Sequence, residues 1–407
     1  MRISKTGLAK FTLYAYFAFS PLYFFPSGTP QPADFILACL LFPWVLSSTS
    51  KLPASMRFML KPFFLFVLWT FIVTLGNVFF TDDFRMLVYP MFYTFGLFFI
   101  VGIGKLSCRC SQSKLFELMQ NLCLVAALVA LGAYFFTLSS GYLLSFRRHS
   151  GSFNNPNQMA YFGLLIVCLS TISAWAGNRW NAKALVTVAA SSLIAVFSYS
   201  LSAVIAIVIS LTGIIYQVLL SNQVKLSTKY CLITVLLFFY LGLPVALTSN
   251  NPKINAIVHN WSVRSERADS KTENIMQERA YQRIIDYPDY LLIGAGEGGR
   301  DRFESVWRGR SQEIHSNFGT ILFSYGVVGF FLFCLYFKRT MTGAPVGIWI
   351  IVMGPMVYGI THQGLRQPLF WLLFLVVSMA TSKMRNDLYV PVKAGKAMEN
   401  AYSDQLL

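Results

Sequence analysis

The sequence predicts an all-α, polytopic membrane protein with about 12 transmembrane helices and one long external loop between spans 9 and 10. Three observations predict it. Hydrophobic residues make up 55% of the 407 positions against 12% charged, with mean hydropathy +0.55, too much apolar surface for water to solvate. Apolar runs of bilayer-crossing length recur along the whole chain. Lys and Arg gather in alternate connections, as the positive-inside rule requires.

The runs fall at about 8–25, 32–48, 63–80, 86–104, 116–137, 158–176, 183–198, 201–220, 229–248, 317–337, 343–361 and 367–382. The first flows into further spans, so no cleavable signal peptide is expected. Four regions follow: 1–248 with spans 1–9, the loop 249–316, spans 10–12 over 317–382, and a polar tail over 383–407. Basic residues mark the inner connections: Lys51, Arg57 and Lys61; Lys105, Arg109 and Lys114; Arg179 and Lys183; Lys225 and Lys229; Lys338 and Arg339. Both termini then lie on the same, inner side. The net charge of +16 is explained by these loops and excludes no membrane role, whereas a nucleic-acid partner is not expected.

Three outer segments break the pattern by carrying basic residues: 138–157, 249–316 and 362–366. The long loop holds ten basic and ten acidic residues. All four histidines, His149, His259, His315 and His362, fall outside under this topology. Asp34 and Glu117 sit at span edges, and the relay of intramembrane acids that many proton-coupled carriers need is absent. The seven cysteines lie in spans or on the inner side, so no disulfide is expected, and Cys108-Arg-Cys110 lacks zinc spacing.

Several outer residues carry chemistry. Arg147 and Arg148 offer planar, permanent charges suited to phosphate, or they snorkel at the interface. Asn155, Asn157 and Gln158 at a span mouth bind sugar hydroxyls or cap the helix. Met276–Asp286 has helical spacing, with Met276, Ala280, Ile284 and Ile285 on one face. Arg279 and Arg283 are then one turn apart, forming a second diphosphate clamp or pairing with Glu278 and Asp286. His315 suits a general base or simply starts the tenth span. His362 and Arg366 line the same cavity or anchor the interface. The Gly294–Gly299 run lacks the Lys-Ser/Thr of a nucleotide loop and reads as a bend. No metal-binding or cofactor pattern is present in the outer loops, so a metal-free site with no cofactor is expected.

Three motifs in order resemble those of the O-antigen ligase/O-antigen polymerase superfamily of bacterial envelope glycosyltransferases. They are Arg148-x-x-Gly-x-Phe-x-Asn-Pro-Asn157; Arg279 leading through Tyr290 to Gly294-x-Gly296; and His315-Ser-Asn-Phe running into Tyr325-Gly-Val-Val-Gly329. The resemblance covers about 145–330, while the N-terminal spans match in hydropathy alone. It implies a GT-C-like, metal-independent, inverting enzyme of the bacterial inner membrane with a periplasmic active site. Its partners would be an undecaprenyl-diphosphate-linked glycan, an acceptor glycan or lipid A–core, membrane lipids and a chain-length regulator. Arg148 and Arg279 match the arginines that hold the diphosphate, and His315 the histidine that activates the acceptor. Arg147, Arg283, His362 and Arg366 are added from local chemistry. One departure stands: many relatives carry a Ser-Arg pair after the seventh span, where this chain reads Tyr199-Ser-Leu-Ser202. A polymerase is the first expectation, a ligase the second and a transporter the third.

Overall fold

The computed structural model describes residues 5–26, 28–139, 149–220, 275–303 and 310–384, with Val306, Trp307 and a few single positions between 224 and 263. The protein is a helical, multi-pass membrane protein. Six of the described helices are long and apolar enough to cross a membrane, by length and composition.

Helix α1 (Lys5–Phe19) stops short of its expected end at residue 25. Pro21 disfavours helical backbone at Ser20, and a turn follows. Helix α2 (Pro32–Ser47) opens with a capping box at Gln31 and Asp34 and widens to a π-helical segment at Leu37–Leu41. Helix α3 (Ala54–Thr81) begins well before the expected residue 63 and runs through Pro62. Helices α4 (Val88–Ser107), α5 (Gln112–Ser139), α6 (Pro156–Ala176), α7 (Ala182–Phe197) and α8 (Leu201–Leu220) lie where the apolar runs predict. The run at 229–248 lies almost wholly outside the described residues. Helices α12 (Asn317–Met341), α13 (Val346–Thr361) and α14 (Pro368–Met384) complete the bundle.

Within the loop are three short helices, α9 (Ile275–Glu278), α10 (Gln282–Asp286) and α11 (Tyr290–Ile293). A two-residue antiparallel ladder joins β1 (Val306–Trp307) to β2 (Arg310–Ser311). The single helix expected over Met276–Asp286 is therefore two pieces. Ala280 takes a left-handed φ of 56° between them, which breaks the turn that would have aligned Arg279 with Arg283.

Two helices act as central posts. Nearly all of α6 is buried, and Leu369 to Val377 of α14 are between 0% and 3% exposed. A helix apolar on every face has protein on every side. Around Trp371 of α14 pack Phe63 and Phe66 of α3, Tyr93 of α4, and Phe333 and Tyr336 of α12. Helices α8 and α13 make the most extensive pairing, and it depends on small residues. A Cβ on Gly213 would meet the Ile351 backbone at 2.7 Å, and one on Gly354 the Ser210 Oγ at 2.1 Å. In that close approach Ser210 donates to the Ile351 carbonyl at 3.0 Å.

Candidate active site

Helix α12 is broken at Gly326, whose φ of 66° and ψ of −174° are not helical. A break frees backbone carbonyls that hydrocarbon cannot satisfy. The loop satisfies them: Ala295 N–H donates to Phe323 O and Gly296 N–H to Ser324 O, both at 2.9 Å. Trp69 Nε1 of α3 donates to Tyr325 O at 2.7 Å. The Gly294–Gly299 run is thus a splice between loop and helix. Gly294 has φ 113°, and a Cβ there would meet Ser324 O at 2.4 Å, so only glycine fits. Below the splice lies a small core of Ala280, Ala295, Phe303, Ile314 and Phe323.

The splice carries Glu297 into the protein, where it is 3% exposed. A buried carboxylate needs partners. Glu297 Oε2 accepts from Tyr93 Oη at 2.6 Å and Tyr325 Oη at 2.9 Å. Its Oε1 accepts from Gln363 Nε2 at 2.6 Å and from Arg366 Nε and Nη2 at 2.9 and 2.7 Å. Arg366 Nη2 also donates to Glu313 Oε2 at 2.7 Å, and Tyr89 Oη donates to Glu313 Oε1 at 3.1 Å. Burial pushes the Glu313 carboxyl up, but the Arg366 charge and the hydrogen bonds from Arg366 and Tyr89 outweigh it and hold the group below its ordinary value.

Beside this hub is a cavity of about 660 Å³, within the range of small-molecule sites. His315, His362, Arg366, Asn155 and Asn157 all line it, joined by Glu313, Arg300, Asp34, Gln158 and Gln363. His315 is exposed and its Nδ1 lies 2.7 Å from the Glu313 carbonyl. A carbonyl only accepts, so Nδ1 carries the proton and a neutral ring leaves Nε2 as the free base. Ser316 caps α12 by accepting from Gly319 N and donates to Gly359 O, fixing His315 at the helix mouth. His362 is 8% exposed and stacks on Tyr358 with centroids 4.4 Å apart; Tyr358 stacks in turn on Tyr161 at 5.0 Å.

The chain matches no family model. No curated protein matches it either.

Asn155 and Asn157 of the Asn-Asn-Pro-Asn motif are built into the wall, with Asn154 beside them. Asn154 Nδ2 donates to Phe25 O, Asn155 caps α6 by accepting from Gln158 N, and the Asn157 carbonyl accepts from Tyr358 Oη. Just before them His149 Nδ1 accepts from Gly151 N, and burial lowers its pKa, so the ring is neutral. Arg147 and Arg148 lie outside the described residues. Arg283 and Arg279 are not among the cavity's lining residues. Arg283 is 3% exposed, lies over the Phe303 ring at 4.9 Å and donates to Gln312 O, as part of the loop's own core. Arg279 offers its carbonyl to His315 N at 3.1 Å and so supports the histidine through backbone. Among the described residues no group of three His, Cys, Asp or Glu side chains is gathered as metal ligands would be.

Sequence reasoning missed Glu297, Glu313, Tyr89, Tyr93, Tyr325 and Gln363. One signal was available: Glu297 is a lone carboxylate inside a glycine run.

Proposed function

We propose that the protein is a metal-independent, inverting glycosyltransferase that polymerises lipid-linked repeat units of a surface polysaccharide. The observation that carries the reading is His315, which donates through Nδ1 to the Glu313 carbonyl at the wall of a cavity lined by distant segments of the chain. In this reading His315 Nε2 takes the proton of an acceptor hydroxyl. The acceptor oxygen attacks the anomeric carbon, the glycosidic bond to diphosphate breaks, and the electron pair leaves on a phosphate oxygen. Positive groups near low-dielectric lipid stabilise that charge without a metal. Arg300 lines the cavity beside Glu313, whose carboxylate it helps to hold charged, and Arg147 and Arg148 precede Asn155 in sequence. The carboxamides and hydroxyls of the wall suit sugar hydroxyls.

The reading includes the finer topology: about 12 spans, both termini cytoplasmic, and the loop 249–316 periplasmic in a bacterial inner membrane. A lipid-linked glycan donor and an acceptor glycan are its partners; transfer to lipid A–core is the ligase alternative. The test is a deletion strain complemented with variants, read on a lipopolysaccharide or polysaccharide gel. Loss of long ladders with one repeat retained supports the polymerase. Loss of all capping sugar with accumulating lipid-linked polymer supports the ligase. In purified protein His315→Ala lowers turnover about 10²–10⁴-fold. Full activity of that variant overturns the assignment of the base.

A further inference from the structure

Part of the loop runs down the side of α12 and back. At the mouth of α12 the Arg279 carbonyl accepts from His315 N at 3.1 Å. The chain returns to that level at Glu313, two residues before His315. Between these points Ala295 N and Gly296 N donate to Phe323 O and Ser324 O. Deeper still, the Leu292 carbonyl and the Ile293 backbone abut Gly326, where a Cβ would lie 2.4 Å from Leu292 O.

Two helices measure how far down this turn lies, and both are long and apolar enough to cross a membrane. A helix of 25 residues such as α12 overhangs a hydrocarbon core of roughly 30 Å by about 4 Å at each end. Gly326, about 13 Å along the axis from Asn317, is then about 10 Å inside the hydrocarbon. Helix α3, with 28 residues, overhangs by about 6 Å. Its Asn77 donates through Nδ2 to Gly294 O at 3.3 Å, and its Trp69 donates through Nε1 to Tyr325 O at 2.7 Å. Counted back from Thr81, Asn77 marks the hydrocarbon boundary and Trp69 a depth of about 12 Å, which bracket the same level.

The side chains change character with that depth. Asp286 and Asp289, nearer the mouth, are exposed. Leu292 and Ile293, at the bottom of the turn, are 69% and 58% exposed, and neither lines the cavity. Just beyond Gly326 on α12, Val327, Val328 and Phe331 are also exposed and also absent from the cavity wall. Leu292 and Ile293 thus extend an apolar surface that a membrane-crossing helix already presents. The backbone meets the condition for such a depth, where non-helical chain is tolerated only if protein pairs its polar groups. Gly294 O is taken by Asn77, the Ala295 and Gly296 N–H groups by α12, and Leu291 N by Pro288 O.

We infer that residues 290–293 form a re-entrant foot, with Leu292 and Ile293 seated among the acyl chains of the leaflet on the loop's side. The occupant is bilayer lipid, because the foot lies at hydrocarbon depth on two independent measures and adjoins a lipid-crossing face. The foot anchors the limb that carries Arg279, and through the Arg279 carbonyl it steadies His315. The inference goes beyond the proposed function and does not depend on it.

Two measurements on the full chain in lipid nanodiscs test it. The first uses the unaltered protein and a phosphatidylethanolamine carrying a diazirine midway along one acyl chain. Photolabel is expected on Leu292 or Ile293 as well as on Val327–Phe331; no label at 290–293 overturns the inference, whatever else is labelled. The second places a nitroxide at Leu292→Cys, Ile293→Cys or Asp286→Cys after the native cysteines are replaced. At 292 and 293 the label is expected to be relaxed more by oxygen, which concentrates in hydrocarbon, than by a water-soluble nickel chelate, with the reverse at 286. Relaxation at 292 and 293 that matches 286 places the foot in water. Shielding there from both reagents places it under a second copy of the chain or another protein. Either result overturns the inference. Neither measurement requires glycan transfer, so the foot and the proposed function stand or fall separately.

Discussion

Glu297 accepts five hydrogen bonds through its two oxygens, from residues on α4, on α12 and on the connection before α14. Truncating it strands two phenols, an amide and part of a guanidinium. Glu297→Ala is expected to cost about 3–5 kcal/mol, the usual penalty for breaking a buried charged pair; thermal unfolding in detergent reads it, with the isosteric Glu297→Gln as the milder companion. Glu313 behaves differently. Its folded-state pKa is depressed, so its contribution is present above the ordinary carboxylate value and fades as pH falls through the folded value. Wild-type stability should therefore drop below about pH 4 more steeply than that of Glu313→Gln, in melting temperatures taken across acid pH. At this scale the sequence was half legible. His315 is recognisable from its place at a span mouth. Arg366 is recognisable as a cavity residue, but its commitment to two carboxylates depends on a carboxylate delivered by a distant glycine run. Spacing offers Arg283 a phosphate or the acids Glu278 and Asp286, whereas the structure buries it against Phe303 and Phe323, a placement that leaves no trace in local spacing.

Among the elements, the broken α12 is the one that hydropathy hides. Tyr325-Gly-Val-Val-Gly329 reads as continuous span because glycine is tolerated inside apolar helices. A Cβ on Gly326 would fall 2.4 Å from Leu292 O and would also require φ +66°. Gly326→Ala and Gly294→Ala should each cost at least about 1–3 kcal/mol and make residues 275–303 cleavable by added protease at low concentration. Gly76→Ala is the matched control: nothing lies within 4 Å of its Cβ position, so alanine is neutral or stabilises by up to about 1 kcal/mol. The existence of the described helices was legible because the apolar runs are long, six of them long enough in the structure to cross a membrane. Their ends were not, since α1 stops early before a proline and α3 starts early on turns where Arg57 and Lys61 interrupt the apolar run.

For the molecule as a whole, the agreement of separate segments is the strongest feature. Residues near 155, 315 and 362 were grouped by charge and loop parity, and the cavity gathers them at one place. The proposed orientation makes a direct prediction. In a variant with its native cysteines replaced, a membrane-impermeant maleimide applied to intact spheroplasts should modify Asn154→Cys, an exposed position beside the cavity. It should leave Lys51→Cys untouched until the membrane is opened. The opposite pattern would turn the bundle over and place the cavity in the cytoplasm.

Arg366 stands 69 residues after Glu297 and 53 after Glu313, close to the last helix. During synthesis both acids emerge long before their counter-ion. Without it Glu297 keeps only Tyr93, Tyr325 and Gln363 among its side-chain partners here, and Glu313 only Tyr89. A chain that ends before this point lacks the guanidinium that joins the two carboxylates, so the hub is completed only with the last part of the bundle.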